Sequence, residues 1–88
     1  MMNILSEVQQ VLNTVLNLGG VEKIHAQSRL KDDFGLDSMN SLTFLIELEN
    51  KIDGFTVDPD NLEAEDLETV ESVVGYVNRQ LGSIQNAT

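Results

Sequence analysis

The sequence predicts an all-α fold: a small four-helix bundle of three longer helices and one short third helix, with a long first loop. Three stretches repeat apolar residues at helical spacing, and no stretch alternates apolar and polar residues as a half-buried strand would. The chain has 88 residues, which suffices for one domain with one core. We therefore expect a single domain over residues 1–88.

The first helix is predicted over about residues 3–17. Asn3 can cap its N-terminus, and Gly19-Gly20 stops it. Projected at about 100° per residue, its apolar residues form one stripe, which consists of Ile4, Val8, Val11, Leu12 and Val15.

Residues 19–37 form a long connection between the first and second helices. A loop of this length inside a compact domain is often functional. Its apolar residues can anchor it to the helices, and these are Val21, Ile24, Leu30, Phe34 and Leu36. His25 is interpreted as a surface histidine, because no partner base, nucleophile or second metal ligand accompanies it.

The second helix is predicted over about residues 38–53 and carries apolar residues on two sides. One narrow arc is the core stripe, formed by Phe44, Leu45, Leu48 and Ile52. A second arc, roughly opposite the first, holds Met39, Leu42 and Ile46. Because a small bundle buries one face of a helix more easily than two, we expect the second arc at the surface, where a partner can bind it. The alternative is that Leu42 and Ile46 lie beneath the first loop.

Two further helices complete the predicted bundle. The pair Asp58-Pro59 can start a short third helix over about residues 59–65. The fourth helix, over about residues 69–81, is capped by Thr69 and ended by Gly82, before a polar tail. Its apolar stripe consists of Val70, Val73, Val74, Val77 and Leu81.

Charge and composition exclude several classes of function. The formal net charge is -10, so the chain repels nucleic acid and suits partners with basic patches. The absence of cysteine excludes disulfides and thiolate metal sites. No apolar run is long enough to cross a bilayer, and no basic region followed by an apolar stretch opens the chain, so we expect a cytoplasmic protein that makes no membrane contact.

The acidic second half of the chain invites a calcium site, but its spacing does not fit one. Asp58 and Asp60 match the first two ligand positions of a calcium-binding loop, whereas Leu62 and Glu63 occupy its third ligand and glycine positions. A single histidine without cysteine also makes a metal cluster a poor prediction. No metal ligand is therefore predicted.

Ser38 lies at the start of the second helix, and its hydroxyl has two interpretations. It can be an ordinary helix cap. It can also be a modification site, because a helix N-terminus offers unpaired backbone N–H groups and a partial positive charge, which suit a phosphate ester. The residues alone leave both alternatives open.

Residues 33–39, Asp-Phe-Gly-Leu-Asp-Ser-Met, resemble the Gly-x-Asp-Ser-Leu signature of the acyl and peptidyl carrier protein family, with Met39 in place of leucine. The long first loop, the acidic second helix, the link over residues 55–57, the short third helix and residues 67–77 are also similar to the family. The resemblance therefore covers nearly the whole chain.

The resemblance implies that Ser38 receives a 4'-phosphopantetheine arm from coenzyme A, attached by a separate phosphopantetheinyl transferase. The terminal thiol of the arm would hold a substrate as a thioester, which fits a chain without cysteine. The protein would carry intermediates without catalysing a step, so no catalytic residue is expected. Asp37 would help to position the transferase and its metal-bound coenzyme A.

The resemblance also implies further partner proteins. These are an enzyme that loads an acyl or aminoacyl group, and a downstream synthase or acyltransferase. They would bind a monomeric carrier through one face of the second helix, which comprises Met39, Leu42, Ile46, Glu47, Glu49 and Asp53. On the opposite side, Phe44, Leu45 and Leu48 would lie inside the bundle and border the cargo.

The chain departs from fatty-acid carriers at Asn40 and Thr43, where those carriers typically have acidic residues. Residues 53–59 and 76–78 are more similar to discrete carriers of specialised metabolism, such as polyketide and nonribosomal peptide biosynthesis. A competing hypothesis needs no cofactor. It is an unmodified acidic helical adaptor that binds a basic partner protein through the second arc.

Overall fold

The computed structural model describes residues 3–85 of the chain. Its helical elements are α1 (Ile4–Leu16), a first 3₁₀ helix (Val21–Lys23), α2 (Leu30–Phe34), α3 (Ser38–Lys51), a second 3₁₀ helix (Ala64–Leu67) and α4 (Val70–Gln85). Residues 3–85 contain no β-strand, only an isolated bridge between Arg29 and Thr69. None of the helices in this range is both long enough and apolar enough to span a bilayer. The predicted all-α fold class is confirmed.

Helices α1, α3 and α4 pack around one hydrophobic core. The core includes the predicted stripes, from which Val8, Val11, Leu12, Phe44, Leu45, Leu48, Ile52, Val70, Val73 and Val77 are buried. It also includes Phe55 and Tyr76, whose rings meet edge to face with centroids 6.1 Å apart. Burial of each large apolar side chain contributes about 1.5–3 kcal/mol, so these contacts are the main stabilising term of the bundle.

Side-chain caps begin α1 and α4, as predicted. The Ser6 N–H donates to Oδ1 of Asn3 at 3.2 Å, and the Ser72 N–H donates to Oγ1 of Thr69 at 3.1 Å. Each bond satisfies an amide that the first turn of a helix leaves without an internal partner.

The C-terminal ends of the helices differ from the predicted ends. Helix α1 ends at Leu16 and α3 at Lys51, each within two residues of its expected end. Helix α4 continues to Gln85, so the predicted stop at Gly82 is wrong. A glycine inside a helix costs about 1 kcal/mol relative to alanine but keeps its backbone hydrogen bonds, so it need not end the helix. Within the predicted polar tail, residues 86–88 lie outside the described residues.

The third helix predicted over residues 59–65 is wrong in position. Residues 58–61 form a turn, and the helix that does form is the second 3₁₀ helix, further along the chain. The Asp58 carboxylate accepts from the Asp60 N–H at 3.0 Å, and the Asp58 N–H donates to the Tyr76 hydroxyl at 3.0 Å. Asp58 therefore closes a turn against α4 and does not cap a helix.

A buried carboxylate starts the second 3₁₀ helix. Asp66 accepts from the Glu63 N–H at 2.8 Å and pairs with the Arg79 guanidinium at 3.0 Å. The charge of Asp66 is therefore compensated on both sides, as a buried carboxylate requires. This arrangement fixes the second 3₁₀ helix to α4.

Backbone hydrogen bonds fasten the long first loop to the start of α4. The Leu30 N–H donates to the Glu68 carbonyl at 3.1 Å, and the Val70 N–H donates to the Ser28 carbonyl at 3.1 Å. The loop is also held by predicted anchors that are buried, namely Ile24, Leu30 and Leu36. The segment that leads to Ser38 is therefore attached to the bundle.

Two features of this loop differ from the prediction. It contains the short helix α2, which starts where the Arg29 N–H donates to the Asp33 carboxylate at 2.7 Å. Val21 is 38% exposed, so its predicted anchoring is wrong. The first 3₁₀ helix turns the chain so that Ile24 enters the core instead of Val21. His25 is exposed, as predicted.

Candidate functional site

The N-terminus of α3 is capped by Asp37. The Asn40 N–H donates to Oδ1 of Asp37 at 2.8 Å, and the Ser41 N–H donates to the Asp37 carbonyl at 2.8 Å. The backbone of Asp37 is extended, with φ -105° and ψ -176°, as is typical of a cap residue. Ser38 is consequently the first residue inside the helix.

This geometry excludes one of the two interpretations of Ser38. The cap interpretation is wrong, because the side chain of Asp37 makes the capping bond. Ser38 is exposed, and within residues 3–85 its hydroxyl has no hydrogen-bond partner. Its Oγ is therefore accessible to another molecule and has no structural role that a modification would disturb.

The turn before Asp37 holds Ser38 at a fixed place on the surface. Gly35 has φ 69°, a left-handed conformation that favours glycine, and its N–H donates to the Lys31 carbonyl at 3.0 Å. Leu36 is buried, and its N–H donates to the Leu30 carbonyl at 3.0 Å. The glycine of the predicted signature thus ends α2, and the residue after it anchors the chain two positions before Ser38.

Loss of the Asp37 cap is expected to destabilise the protein. Asp37→Ala should lower the free energy of unfolding by about 1 kcal/mol, because the Asn40 amide would lose its acceptor. Urea denaturation followed by circular dichroism measures this change. Asp37→Asn is the matched control, since it keeps an acceptor oxygen at the same place, and it should retain most of the stability. Equal stability of Asp37→Ala and wild type would contradict the assignment of the cap.

The exposed stripe, which we define as Met39, Leu42 and Ile46, lies on α3 beside Ser38. The three side chains are 81%, 61% and 46% exposed, respectively. The prediction of a second apolar face at the surface is confirmed, and the alternative that Leu42 and Ile46 lie beneath the loop is wrong. On the core side of the same helix, Phe44 and Leu48 are fully buried.

The three carboxylates predicted on this face have different surroundings. Glu49 is partly buried, and its Oε2 accepts from the Val57 N–H at 2.8 Å. Glu47 is exposed on the flank toward α1, where it lines a groove with Lys51. Asp53 is exposed but lies beyond the last residue of α3. The prediction placed these three carboxylates together on one face of the second helix, whereas in the structure they lie apart.

Sequence reasoning missed the residues that hold the segment after α3 in place. The Glu49–Val57 bond fixes the extended link, and the Tyr76 hydroxyl binds the next turn by donating to Oδ1 of Asn61 at 3.1 Å. The spacing offered one signal for Tyr76, because it lies three residues after Val73 and therefore on the same helical face. No local pattern indicates the Glu49–Val57 bond.

Comparisons with known proteins agree with this geometry. The profile of the family described as "Phosphopantetheine attachment site" matches residues 6–77. The acyl carrier protein of Exiguobacterium sp. is 37% identical over 78 residues, which cover 89% of this chain and 94% of that protein. The acyl carrier protein of Chlorobium phaeobacteroides is 32% identical over 71 residues, which cover 78% of this chain and 87% of that protein.

A solved structure is similar over nearly the same range. The solution NMR structure of the holo acyl carrier protein from Nitrosomonas europaea matches with a TM-score of 0.80 at 35% sequence identity. The match covers 92% of this chain and 99% of that chain. The similarity in sequence and the similarity in fold therefore both extend over most of the molecule.

Proposed function

The chain belongs to the acyl carrier protein family, and from this premise we propose that Ser38 is the residue to which 4'-phosphopantetheine is attached. Proteins of this family carry acyl groups on phosphopantetheine and have no catalytic activity of their own. The chain is accordingly a carrier and not an enzyme. Beyond the family, we assign the attachment residue, the face that partners bind and the kind of pathway.

The observation that carries the proposal is the state of the Ser38 hydroxyl. It is exposed, it is free of hydrogen bonds within the described residues, and it lies in the first turn of α3 directly after the capping Asp37. A serine that served only the fold would use its hydroxyl for a cap or a turn. Here the neighbouring aspartate supplies the cap, so the serine remains available to a transferase.

The surroundings of Ser38 suit a phosphodiester. Asp37 accepts from the Asn40 N–H, whereas the N–H groups of Ser38 and Met39 have no hydrogen-bond partner within residues 3–85. These first-turn amides and the positive end of the helix dipole favour a negative charge at this position. When bound, phosphopantetheine supplies the thiol that holds the acyl group as a thioester, and this chain has no cysteine of its own.

Asp37 has a positioning role in the proposal. Its carboxylate holds the first turn of α3 in place, which fixes the direction in which the Ser38 hydroxyl is presented. Asp37 is itself exposed, so the transferase and its metal-bound coenzyme A can also contact it. In this transfer the Ser38 oxygen would form the new bond to phosphorus while the pyrophosphate bond of coenzyme A breaks. Adenosine 3',5'-bisphosphate would leave, and a base of the transferase would take the hydroxyl proton.

The exposed stripe is the surface that we assign to partner enzymes. These partners are the phosphopantetheinyl transferase, an acyl- or aminoacyl-loading enzyme, and a downstream synthase or acyltransferase. An apolar patch beside an attachment site is suited to brief binding by each of them in turn. The carrier acts as a monomer in the cytoplasm, where coenzyme A is available for loading, and its net charge of -10 keeps copies of the chain apart.

The cargo is assigned to specialised metabolism, with acyl or aminoacyl intermediates of the polyketide or nonribosomal peptide type. Support comes from Asn40 and Thr43, which leave the surface near Ser38 without the acidic residues of fatty-acid carriers. Loading reactions with acyl- and aminoacyl-transferring enzymes test this part separately. Efficient transfer by fatty-acid synthesis enzymes alone would contradict it.

The direct test of the proposal is the intact mass of the protein. The full chain is incubated with coenzyme A and a broad-specificity phosphopantetheinyl transferase, and its mass is measured before and after. We expect a gain of one phosphopantetheine, which proteolysis maps to the peptide containing Ser38. A folded sample that gains no mass would overturn the proposal in favour of the unmodified adaptor.

A further inference from the structure

We infer that the partner surface that covers α3 beside Ser38 is apolar and uncharged, so that docking depends on the exposed stripe and very little on carboxylates. This inference rests on the proposed function, because it concerns the proteins that act at Ser38. It differs from what the net charge of -10 suggests, which is attraction to a basic partner.

The exposed stripe begins directly beside Ser38. Met39 follows Ser38 directly, Leu42 lies one turn further on, and Ile46 lies about 12 Å from Ser38 along the helix axis at 1.5 Å per residue. A protein large enough to act on the Ser38 hydroxyl therefore covers the beginning of the stripe. Removal of these apolar side chains from water provides the favourable free energy of that contact.

The first turn of α3, beside Ser38, contains no acidic residue. The polar residues between Met39 and Ile46 are neutral, namely Asn40, Ser41 and Thr43. The carboxylate nearest to Ser38 in sequence, that of Asp37, is bonded to a backbone amide. Asp37 is exposed but precedes the helix, and residues 38–46 of α3 themselves offer no carboxylate to a basic side chain of a partner.

The carboxylates further along the chain, from Glu47 to Asp53, have different surroundings. Glu49 is engaged by the Val57 N–H, so a partner cation that took its charge would have to displace an internal hydrogen bond. Glu47 follows Ile46 and is therefore turned about 100° away around the helix, where Lys51 lines the same groove. Asp53 lies past the end of α3. The stripe from Met39 to Ile46 therefore contains no carboxylate, and Glu49, the next one on the same face, already accepts from the Val57 amide.

A second region of the molecule is acidic. A group of exposed carboxylates surrounds the second 3₁₀ helix and the start of α4, with Glu63, Glu65, Glu68 and Glu71. Part of the negative charge of the chain therefore lies away from the exposed stripe. A partner that fits the exposed stripe presents apolar side chains of its own, because a lysine or arginine buried there would lose its hydration without gaining an ion pair.

The experiment compares apolar and charge-removing variants during loading by phosphopantetheinyl transferase with coenzyme A. The specificity constant kcat/KM for the full-length chain is measured for wild type, Leu42→Ala and the double variant Glu47→Gln/Asp53→Asn. Each is measured at about 0.01 M and about 1 M salt, which shortens the Debye length from about 30 Å to about 3 Å. Ratios to wild type at the same salt remove effects on the transferase and coenzyme A themselves.

We expect Leu42→Ala to lower kcat/KM about tenfold at both salt concentrations, which corresponds to about 1.4 kcal/mol. The double charge variant should stay within about twofold of wild type at both. A tenfold loss in the double variant at low salt that disappears at high salt would overturn the inference, and so would unchanged loading of Leu42→Ala. Wild-type protein that is not loaded at all would instead overturn the proposed function, so the two failures are distinguishable.

Discussion

Replacing Ser38 by alanine is expected to abolish loading with phosphopantetheine and to leave the fold intact. The attachment needs a hydroxyl oxygen at this position, and alanine has none, so no residual loading is expected at Ser38. The free energy of unfolding should change by less than about 0.5 kcal/mol, because the lost hydroxyl is exposed and has no hydrogen-bond partner within residues 3–85. Intact mass spectrometry after incubation with transferase and coenzyme A measures the first effect, and urea denaturation measures the second.

The matched control for this experiment is Ser41→Ala. It makes the same substitution one turn further along α3, and it should be loaded at the wild-type rate. The combination of results is specific to an attachment site, since a structural serine would lose stability and a docking serine would lose only part of its rate. A Ser38→Ala protein that still gains one phosphopantetheine would place the attachment on another residue.

The prediction for Ser38 also separates its role from that of Asp37. These adjacent residues have different roles at the N-terminus of α3. Asp37 accepts the capping hydrogen bond, and Ser38 presents a free hydroxyl. Substitution of Asp37 should therefore affect stability more than substitution of Ser38 does. The sequence alone could not make this division, because serine and aspartate are both favoured caps and differ in position by only one residue.

Features that depend on local spacing could be predicted from the sequence. The two faces of α3 follow from the helical period, so Leu48 was placed in the core and Leu42 at the surface, and both placements are confirmed. Caps with a short polar side chain just before an apolar stripe were also predicted correctly, at Asn3 and Thr69. These are signals between residues three or four positions apart, which a single sequence contains.

Features that depend on contacts between distant residues could not be predicted in the same way. Asp58 stands in a sequence that is typical of a helix cap. Its N–H, however, donates to the hydroxyl of Tyr76, eighteen residues away, and this bond favours a turn. Glu49 has the position of a surface carboxylate, but it is engaged by the amide of Val57. In both cases a tertiary hydrogen bond overrides a local preference whose typical size is about 1 kcal/mol.

The same limit applies to the candidate site. Ser38 and the exposed stripe lie on one helix, so their arrangement follows from spacing. The distribution of charge on that surface does not follow from spacing. It depends on the hydrogen bonds that Glu47, Glu49 and Asp53 make and on their positions relative to the helix. The sequence therefore predicts the apolar stripe of this face, but it does not show how its carboxylates are placed.

The two faces of α3 are expected to differ sharply in their contribution to stability, and two leucines of this helix measure the difference. Leu48→Ala should lower the free energy of unfolding by about 2–5 kcal/mol, because Leu48 is fully buried and its loss leaves a cavity in the core. For a domain of this size, that corresponds to a fall in Tm of more than about 8 °C. Leu42→Ala makes the same chemical change on the opposite face, where the side chain is 61% exposed, and should cost less than about 1 kcal/mol.

Thermal and urea unfolding of both variants and of wild type measure these differences in stability. The large loss in Leu48→Ala follows from the packing of α3 against α1 in the shared core, and it does not depend on modification of Ser38, so the unmodified protein is sufficient. Similar losses in the two variants would mean that Leu42 is also part of the core, and the exposed stripe would then lose its role as a docking surface. A stable Leu42→Ala with impaired loading assigns this leucine to the partner, because only a contact outside the folded chain is then missing.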